Sequence, residues 1–477
     1  MEQVIIGRKE ELAILKKALQ SSEPEMVAVI GRRRVGKTFL IRHAYQGRID
    51  FDLTGIQNGN SREQLQNFAD RLTMYAKPLF PFQRPSNWLQ AFQMIVTWLE
   101  ATPKTEKRVV FFDEVPWLAT RNSDFLKALG YFWNSWASQQ NICVVICGSA
   151  ASWMIANVVR DKGGLHNRIT KRVHLAPFTL AETEAYFKSR EVHLNRYQIL
   201  LTYMALGGIP HYLKEVESGK TAAQNIDYIC FSPNGILKDE FLQLYPALFD
   251  NPEVHTKIVR SLAQTWQGLS RNELIAAAKL QNSGNTTQAL EELLSSGFVS
   301  AYYAFGKKVK DLRYRLTDEY SLFYLKFIEE NQGFGQSTWQ NISQTQSWKT
   351  WSGYAFENIA LRHVAHIKKA LGISGIYVET SSFYQKGNAE QQGVQIDLLI
   401  DRSDHAINLC ELKFYNSEVV VTKAMAKDLR TKIALFRAAS QTNKQIFLTL
   451  IAPFSIIPNV HSIGLIDNSL DLDIFFE

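Results

Sequence analysis

The 477 residues hold only four cysteines, Cys143, Cys147, Cys230 and Cys410, each inside an apolar stretch. Four scattered thiols cannot knit a disulfide framework, so reduced core cysteines and a cytoplasmic chain are expected. Clean apolar runs of about 20 residues are also missing. Two long stretches without charge, 141–159 and 445–466, are broken by Gly148, Ser149, Ser152 and Asn157 in one and by Pro453, Pro458, Asn459 and His461 in the other. Buried strands running into polar turns explain them, and no membrane partner is expected. The opening Met-Glu-Gln-Val lacks the basic and apolar regions of a secretory signal. Neither sign of charge dominates: 53 Lys and Arg against 46 Asp and Glu leave +7, which permits a polyanionic partner without demanding one. Internal repeats and low-complexity tracts are absent. With 46% hydrophobic and 21% charged residues, a disordered or fibrous chain is excluded.

What is present is a multidomain α/β pattern, since this length predicts two to four domains. Short apolar runs at 26–30, 109–112 and 142–147 read as buried strands of a parallel sheet. They alternate with amphipathic helices such as 10–19 and 88–99. From 180 to 213 the pattern is wholly helical. Between 254 and 330 it reads as helix (270–280), turn, helix (287–295) and hairpin (298–303 and 312–316), the order of a winged helix. Ser270 and Glu273 form the capping-box pair there. The stretch 332–346, rich in Gly, Gln, Ser and Thr, reads as a linker. Beyond it follow helix 354–371, strands 375–384, 395–401 and 407–414, helix 423–439 and strand 445–452. The expected divisions are a parallel-sheet α/β core at 1–178, a helical lid and connector at 179–253, the winged helix at 254–331, the linker, and a second α/β domain at 347–477.

Gly31-Arg32-Arg33-Arg34-Val35-Gly36-Lys37-Thr38, with Phe39 behind it, follows an apolar strand and opens a helix. That is the context in which G-x-x-x-x-G-K-[ST] cradles phosphates: glycines let backbone N–H groups close around the oxygens, and the helix start adds its dipole. Lys37 should reach the β- and γ-phosphates and the Thr38 hydroxyl should ligate Mg²⁺. The run Val109-Val-Phe-Phe-Asp113-Glu114 supplies acids at a strand end, Asp113 to hold Mg²⁺ and Glu114 to polarise the attacking water. Ser149, leaving the 142–147 strand, is either a sensor of the γ-phosphate or a plain loop serine. Arg168 is either a transition-state arginine, in its own subunit or a neighbour's, or a solvated loop charge near Lys171 and Arg172.

These residues resemble the prokaryotic P-loop ATPases of the archaeal-type class, within the AAA+/STAND assemblage. The resemblance rests on Gly7-Arg8 with Glu11-Leu12, the phosphate loop, Phe112-Asp113-Glu114, Cys147-Gly148-Ser149, Asn167-Arg168-Ile169-Thr170 and Gly207-Gly208-Ile209-Pro210. It implies ATP and Mg²⁺ as cofactors and brings Arg8, Gly208 and Pro210 to the adenine side of the nucleotide.

In the winged-helix region, Thr286-Thr-Gln-Ala-Leu-Glu291-Glu292 places two acids and no cation on the helix that would read bases, which opposes the phosphate term of DNA affinity. Lys307, Lys308, Lys310, Arg313 and Arg315 in the wing suit a phosphate backbone instead. An intramolecular packing module and a backbone contact both stay open. In the last domain, Asp397 on one strand and Glu411 and Lys413 on the next suit a hard-oxygen site for Mg²⁺ or Mn²⁺ with a lysine beside it. This arrangement resembles the PD-(D/E)xK nuclease core, in the version those ATPases carry as a C-terminal domain of uncharacterised function. Glu357 then matches the helical acid, a further metal contact. His363 and His366 lack zinc-spaced companions and read as ordinary helix residues.

The reading is an ATPase whose nucleotide state governs a nuclease-like, DNA-processing domain. The alternative is a nucleotide-dependent switch or scaffold whose last domain does not cut. Expected partners are ATP and ADP, with DNA, a regulatory protein or further copies of the chain beside them.

Overall fold

The computed structural model describes residues 5–120, 123–160, 163–306, 311–331, 338–385 and 393–477. Lys307, Lys308 and Lys310 of the wing, and 332–337 of the linker stretch, lie outside the described residues. The chain divides into two compact units. One is Met1–Pro177 with Leu248–Asp250 and Glu291–Gly297; the other is Phe178–Ala247, Asn251–Leu290 and Phe298–Glu477.

The first unit is built on a parallel sheet of β1 (Glu25–Ile30), β2 (Ile49–Thr54), β3 (Arg108–Asp113), β4 (Ile142–Gly148) and β5 (Lys171–His174), in the order β2-β3-β4-β1-β5. β1, β3 and β4 are buried along their whole length, as near-continuous apolar strands covered on both faces must be. One face packs on a cluster in which Phe51, Phe92, Phe112 and Phe125 meet edge-on or tilted, with Trp88 4.8 Å from Phe125. β2 escaped the sequence reading because Asp50 and Asp52 interrupt its apolar run. Both acids are buried, and each is neutralised. Asp50 accepts from Arg108 (3.2 Å) and the Val109 amide (3.0 Å), and Asp52 from Arg42 (2.9 Å) and Tyr75 (2.7 Å). β5, Lys-Arg-Val-His, is an edge strand with one buried residue and carries no apolar signal.

The second unit begins with helices Leu180–Ser189, Arg196–Leu206 and Pro210–Leu213. It contains a small antiparallel sheet of β6 (Leu269–Ser270), β7 (Val299–Tyr302) and β8 (Arg313–Leu316), ordered β6-β8-β7. Helix Arg271–Ala277 opens with both hydrogen bonds of the Ser270–Glu273 capping box. Within the stretch read as a linker, Thr338–Ile342 is helical. Its Trp339 is buried against Phe231, Phe323, Phe327 and Trp348, an aromatic anchor that the polar composition around it conceals. The long helix expected at 354–371 is two helices, Gln346–Arg362 and Val364–Ala370. They part at His363, whose Nδ1 bonds to the Ile359 carbonyl oxygen at 2.7 Å. The chain then forms β9 (Val378–Gln385), β10 (Val394–Arg402), β11 (Ala406–Leu412), the paired β12 (Val419–Val420), β13 (Gln445–Ile451), β14 (Ile456–Ile457) and β15 (Asn468–Leu470). The main C-terminal sheet has the order β15-β13-β11-β10-β9, with β10 antiparallel to both neighbours and β11 parallel to β13. Helix Lys423–Ser440 covers it through Ala426, Leu429 and Phe436.

Candidate functional sites

The first site forms where β1, β3 and β4 end. The glycines of the phosphate loop are required for different reasons. A Cβ on Gly31 would sit 2.4 Å from the Leu175 carbonyl oxygen, because the chain leaving β5 presses on it there. Gly36 has open space around it but a φ of 94°, which L side chains rarely adopt. Arg34 also takes a positive φ, 70°, so the loop turns its amides inward. Helix Lys37–Ala44 starts at Gly36 with no side-chain cap, leaving its first amides to an incoming anion. Lys37 is buried and donates to the Arg32 carbonyl oxygen at 2.9 Å, bridging its own loop. Arg32 and Val35 are buried, Arg33 half-buried and Phe39 exposed.

β3 lies two strands from β1, yet the Thr38 hydroxyl donates to Asp113 Oδ2 at 2.7 Å, reaching past the end of β4. The other Asp113 oxygen accepts from the Glu114 amide at 3.0 Å. Glu114 has a φ of 48°, and its Oε2 accepts from both the amide (3.0 Å) and the hydroxyl (2.8 Å) of Ser149. The hydroxyl read as a γ-phosphate sensor is therefore engaged with the neighbouring carboxylate. Gly148 permits this approach, since a Cβ there would meet Pro116 at 2.7 Å and Met154 at 2.8 Å. Burial and the Asp113 charge push the Cys147 thiol well up, so it stays protonated. A hydroxyl and a carboxylate in contact beside uncapped amides and a buried lysine fit a magnesium–nucleotide, whose hard oxygens and cation match those donors.

Arg8 opens helix Lys9–Gln20 in a left-handed conformation. It donates to the Ala176 carbonyl oxygen at 2.7 Å and lies 3.6 Å from Glu11. Arg168 is exposed in the turn before β5. Gly208 and Pro210 belong to the second unit. A Cβ on Gly208 would overlap the Phe178 carbonyl oxygen, and Pro210 starts the short helix Pro210–Leu213.

The second site lies on the C-terminal sheet. Leu398 pairs with Cys410 across β10 and β11, so the next step sets Asp397 opposite Glu411. Glu411 is 1% exposed. Its Oε1 lies 2.8 Å from Lys413, and Lys432, from helix Lys423–Ser440, spans both oxygens at 2.8 and 2.9 Å. Burial and the Glu411 charge push the Asp397 carboxyl up to about 6, against the pull of Lys432 and Lys413. Glu357 is pushed well above the usual carboxylate range by burial and by Asp397. Asp397 accepts from Gln395 at 3.3 Å, and Gln395 in turn accepts from Gln267 at 2.9 Å. Arg315 of β8 counters Glu357 electrostatically while its guanidinium lies 5.2 Å from the Tyr302 ring centre.

Thus the predicted Glu357, Asp397, Glu411 and Lys413 share one electrostatic site. Lys432, Gln267 and Arg315 join it without having been assigned to it from the sequence. Lys432 carried a weak signal only, a lysine half a helical turn away from its helix's other cations. Among the described residues no three His, Cys, Asp or Glu side chains stand in metal-ligating geometry. With both Glu411 oxygens held by ammonium groups, this arrangement does not fit a bound divalent ion. Burial lowers the His363 pKa to about 4, so its ring is neutral in the core. Among the described residues no helix is long and apolar enough to cross a membrane.

Residues 5–216 match the family described as an ATPase domain predominantly from Archaea. An uncharacterised protein of Methanocaldococcus jannaschii is 20% identical over 436 residues, 91% of this chain and 92% of that protein. Two solved structures are similar. The Walker-type ATPase of Pyrococcus abyssi has a TM-score of 0.49 at 18% identity, over 67% of this chain and 96% of its own. The ORC2 protein of Aeropyrum pernix has a TM-score of 0.41 at 15% identity, over 72% of this chain and 98% of its own. The first site thus lies within the residues that match this ATPase-domain family.

Proposed function

We propose that the protein is a cytoplasmic Mg²⁺-dependent ATP hydrolase whose nucleotide state governs a C-terminal nuclease-like, DNA-processing domain. The observation carrying the hydrolase reading is the 2.7 Å contact between Thr38 and Asp113, brought together by the sheet from 75 residues apart. Thr38 and Asp113 would hold Mg²⁺, which when bound would neutralise phosphate charge. Lys37 exchanges its loop carbonyl partner for phosphate oxygens, and the amides after Gly36 close on the same group. Glu114, oriented by Ser149, accepts a hydrogen bond from the attacking water and polarises it. Arg168, exposed on its turn, is available to complement transition-state charge from this subunit or from a second copy. Arg8 serves the adenine side, and the β6–β8 region acts as a winged-helix module.

The nuclease-like reading rests on Asp397, Glu411, Lys413 and Glu357 sharing one electrostatic site. A second reading, a nucleotide-dependent switch with a non-cleaving last domain and a regulatory protein partner, is favoured by the hold of Lys432 on both oxygens of Glu411. Hydrolysis is tested by phosphate release from the full chain. Lys37→Ala should abolish it, and Glu114→Gln should retain ATP binding while losing turnover; activity in both variants at wild-type level would refute the hydrolase reading. Manganese calorimetry on the full chain, with Asp397→Ala and Lys432→Met, decides between the readings of the last domain. Binding that Lys432→Met strengthens and Asp397→Ala removes supports a metal-dependent nuclease site; no Asp397-dependent binding in any form supports the switch.

A further inference from the structure

Helix Lys423–Ser440 contributes Lys432 to the second site, and its opposite face remains unused. At 3.6 residues per turn, Lys423, Lys427, Arg430 and Arg437 fall within an arc of roughly 80°, with Ala434 and Ala438 beside them. All four cations are exposed, and among the described residues none makes an ion pair with a carboxylate. The acid nearest in sequence, Asp428, lies off this arc and turns to Lys432 at 3.9 Å. Between the two arginines is a shallow groove of about 470 Å³ lined by Arg430, Ile433, Ala434, Arg437 and Ala438.

Local helix energetics oppose this pattern. The first turn has no acid, and Lys423 stands where the helix dipole is positive. Lys423 with Lys427, and Lys427 with Arg430, are like-charged neighbours one turn apart. A merely solvated face would gain stability from an acid at Lys423 or Lys427; only Arg437, in the last turn, suits the helix dipole. We infer that this face is a binding surface for the phosphodiester backbone of a nucleic acid, separate from the Asp397–Glu411 site.

The charge spacing suits that occupant. The four cations extend over about 21 Å at 1.5 Å per residue. A nucleic-acid strand places a phosphate every 3.4 Å or so of duplex axis, so the stripe faces about six phosphates and neutralises up to four. The groove is shallow and its apolar lining is one isoleucine, Ile433, and two alanines, Ala434 and Ala438, which gives a protein partner little anchorage. Contacts of this kind give affinity without sequence preference.

The test is fluorescence anisotropy of the full chain with labelled single-stranded and duplex oligonucleotides of about 20 nucleotides, in EDTA, across roughly 50 to 200 mM salt. EDTA removes divalent ions, so the result does not depend on whether the Asp397 site cleaves or on ATP turnover. Lys427→Glu, Arg430→Glu and Arg437→Glu together should weaken binding tenfold or more. They should flatten the log affinity–log salt slope by about 2 to 3, at 0.7 to 0.9 per phosphate contact. A charge-conserving Lys427→Arg, Arg430→Lys, Arg437→Lys variant should bind like wild type and reports that the fold is kept. Failure of the wild type to bind, or equal affinity and slope in the charge-reversed chain, overturns the inference. So does loss of binding in the charge-conserving variant, or binding of poly-glutamate as tight as that of the oligonucleotide.

Discussion

Lys432→Met is the sharpest probe of the second site, because it removes a charge while keeping most of the side-chain stem. Glu411 is 1% exposed and leans on two ammonium groups, Lys413 at 2.8 Å and Lys432 at 2.8 and 2.9 Å. Stripping all compensation from a buried ion costs about 3–5 kcal/mol. Here Lys413 remains, so roughly half of that, ~2 kcal/mol, is the expected loss. The unit holding Glu411 has 290 residues, so about 2 °C per kcal/mol applies and the loss lowers Tm by about 4 °C. Thermal unfolding of the full chain in EDTA, followed by tryptophan fluorescence, measures it. The double variant Lys432→Met, Glu411→Gln removes the buried charge as well and should recover to within about 1 kcal/mol of wild type, since losing both partners is far cheaper than losing one. A single-variant shift under about 1 °C, or a double variant no better than the single, would refute the argument that Glu411 depends on this clasp.

Three further outcomes follow from the geometry. The folded Asp397 pKa of about 6 exceeds its unfolded value near 4, so the stability it contributes is fully present below pH 4 or so and lost as pH rises through 6. Asp397→Asn should accordingly gain Tm relative to wild type above about pH 6.5 and not at pH 4; parallel Tm–pH curves would contradict this. Gly31→Ala forces a methyl against the Leu175 carbonyl oxygen and should cost about 1–3 kcal/mol while removing the Tm rise on adding Mg-ATP, both read by scanning calorimetry. Ser149→Ala should reduce kcat for ATP about tenfold or more with KM within twofold, because its hydroxyl orients Glu114 without needing to hold the ground-state nucleotide; an equal change in KM alone would assign the serine to binding instead.

The first site was legible because its chemistry is compressed into contiguous residues. Gly31 to Thr38 and Asp113-Glu114 are short strings, each attached to an apolar strand that announces itself by hydrophobicity alone. Their contact across the end of β4 follows once a parallel sheet is granted. The Ser149–Glu114 pair was not legible, since it depends on the positive φ of Glu114 and on the space left by Gly148. β2 and β5 were hidden for opposite reasons, one by buried acids whose partners lie elsewhere in sequence, the other by an edge position that asks for little apolar character.

The second site shows why a carboxylate pattern specifies a place before it specifies a reaction. Asp397 and Glu411 were bound to meet, because a period-two strand and a short hairpin leave few other registers. What they meet was beyond such reasoning. Lys432 stands 21 residues after Glu411 on a helix whose rotation is set by Ala426, Leu429 and Phe436 on the sheet. The same rotation that aims Lys432 at Glu411 turns Lys423, Lys427, Arg430 and Arg437 outward. Helix packing therefore decides two electrostatic outcomes at once: a carboxylate held by ammonium groups beneath the helix and an uncompensated cationic stripe above it. A nuclease would need the first to open and would profit from the second, whereas a non-cleaving nucleic-acid binder needs only the second. Manganese affinity in Lys432→Met and salt-dependent binding in the stripe variant vary these two properties separately, so together they separate the alternatives that the carboxylates alone leave joined.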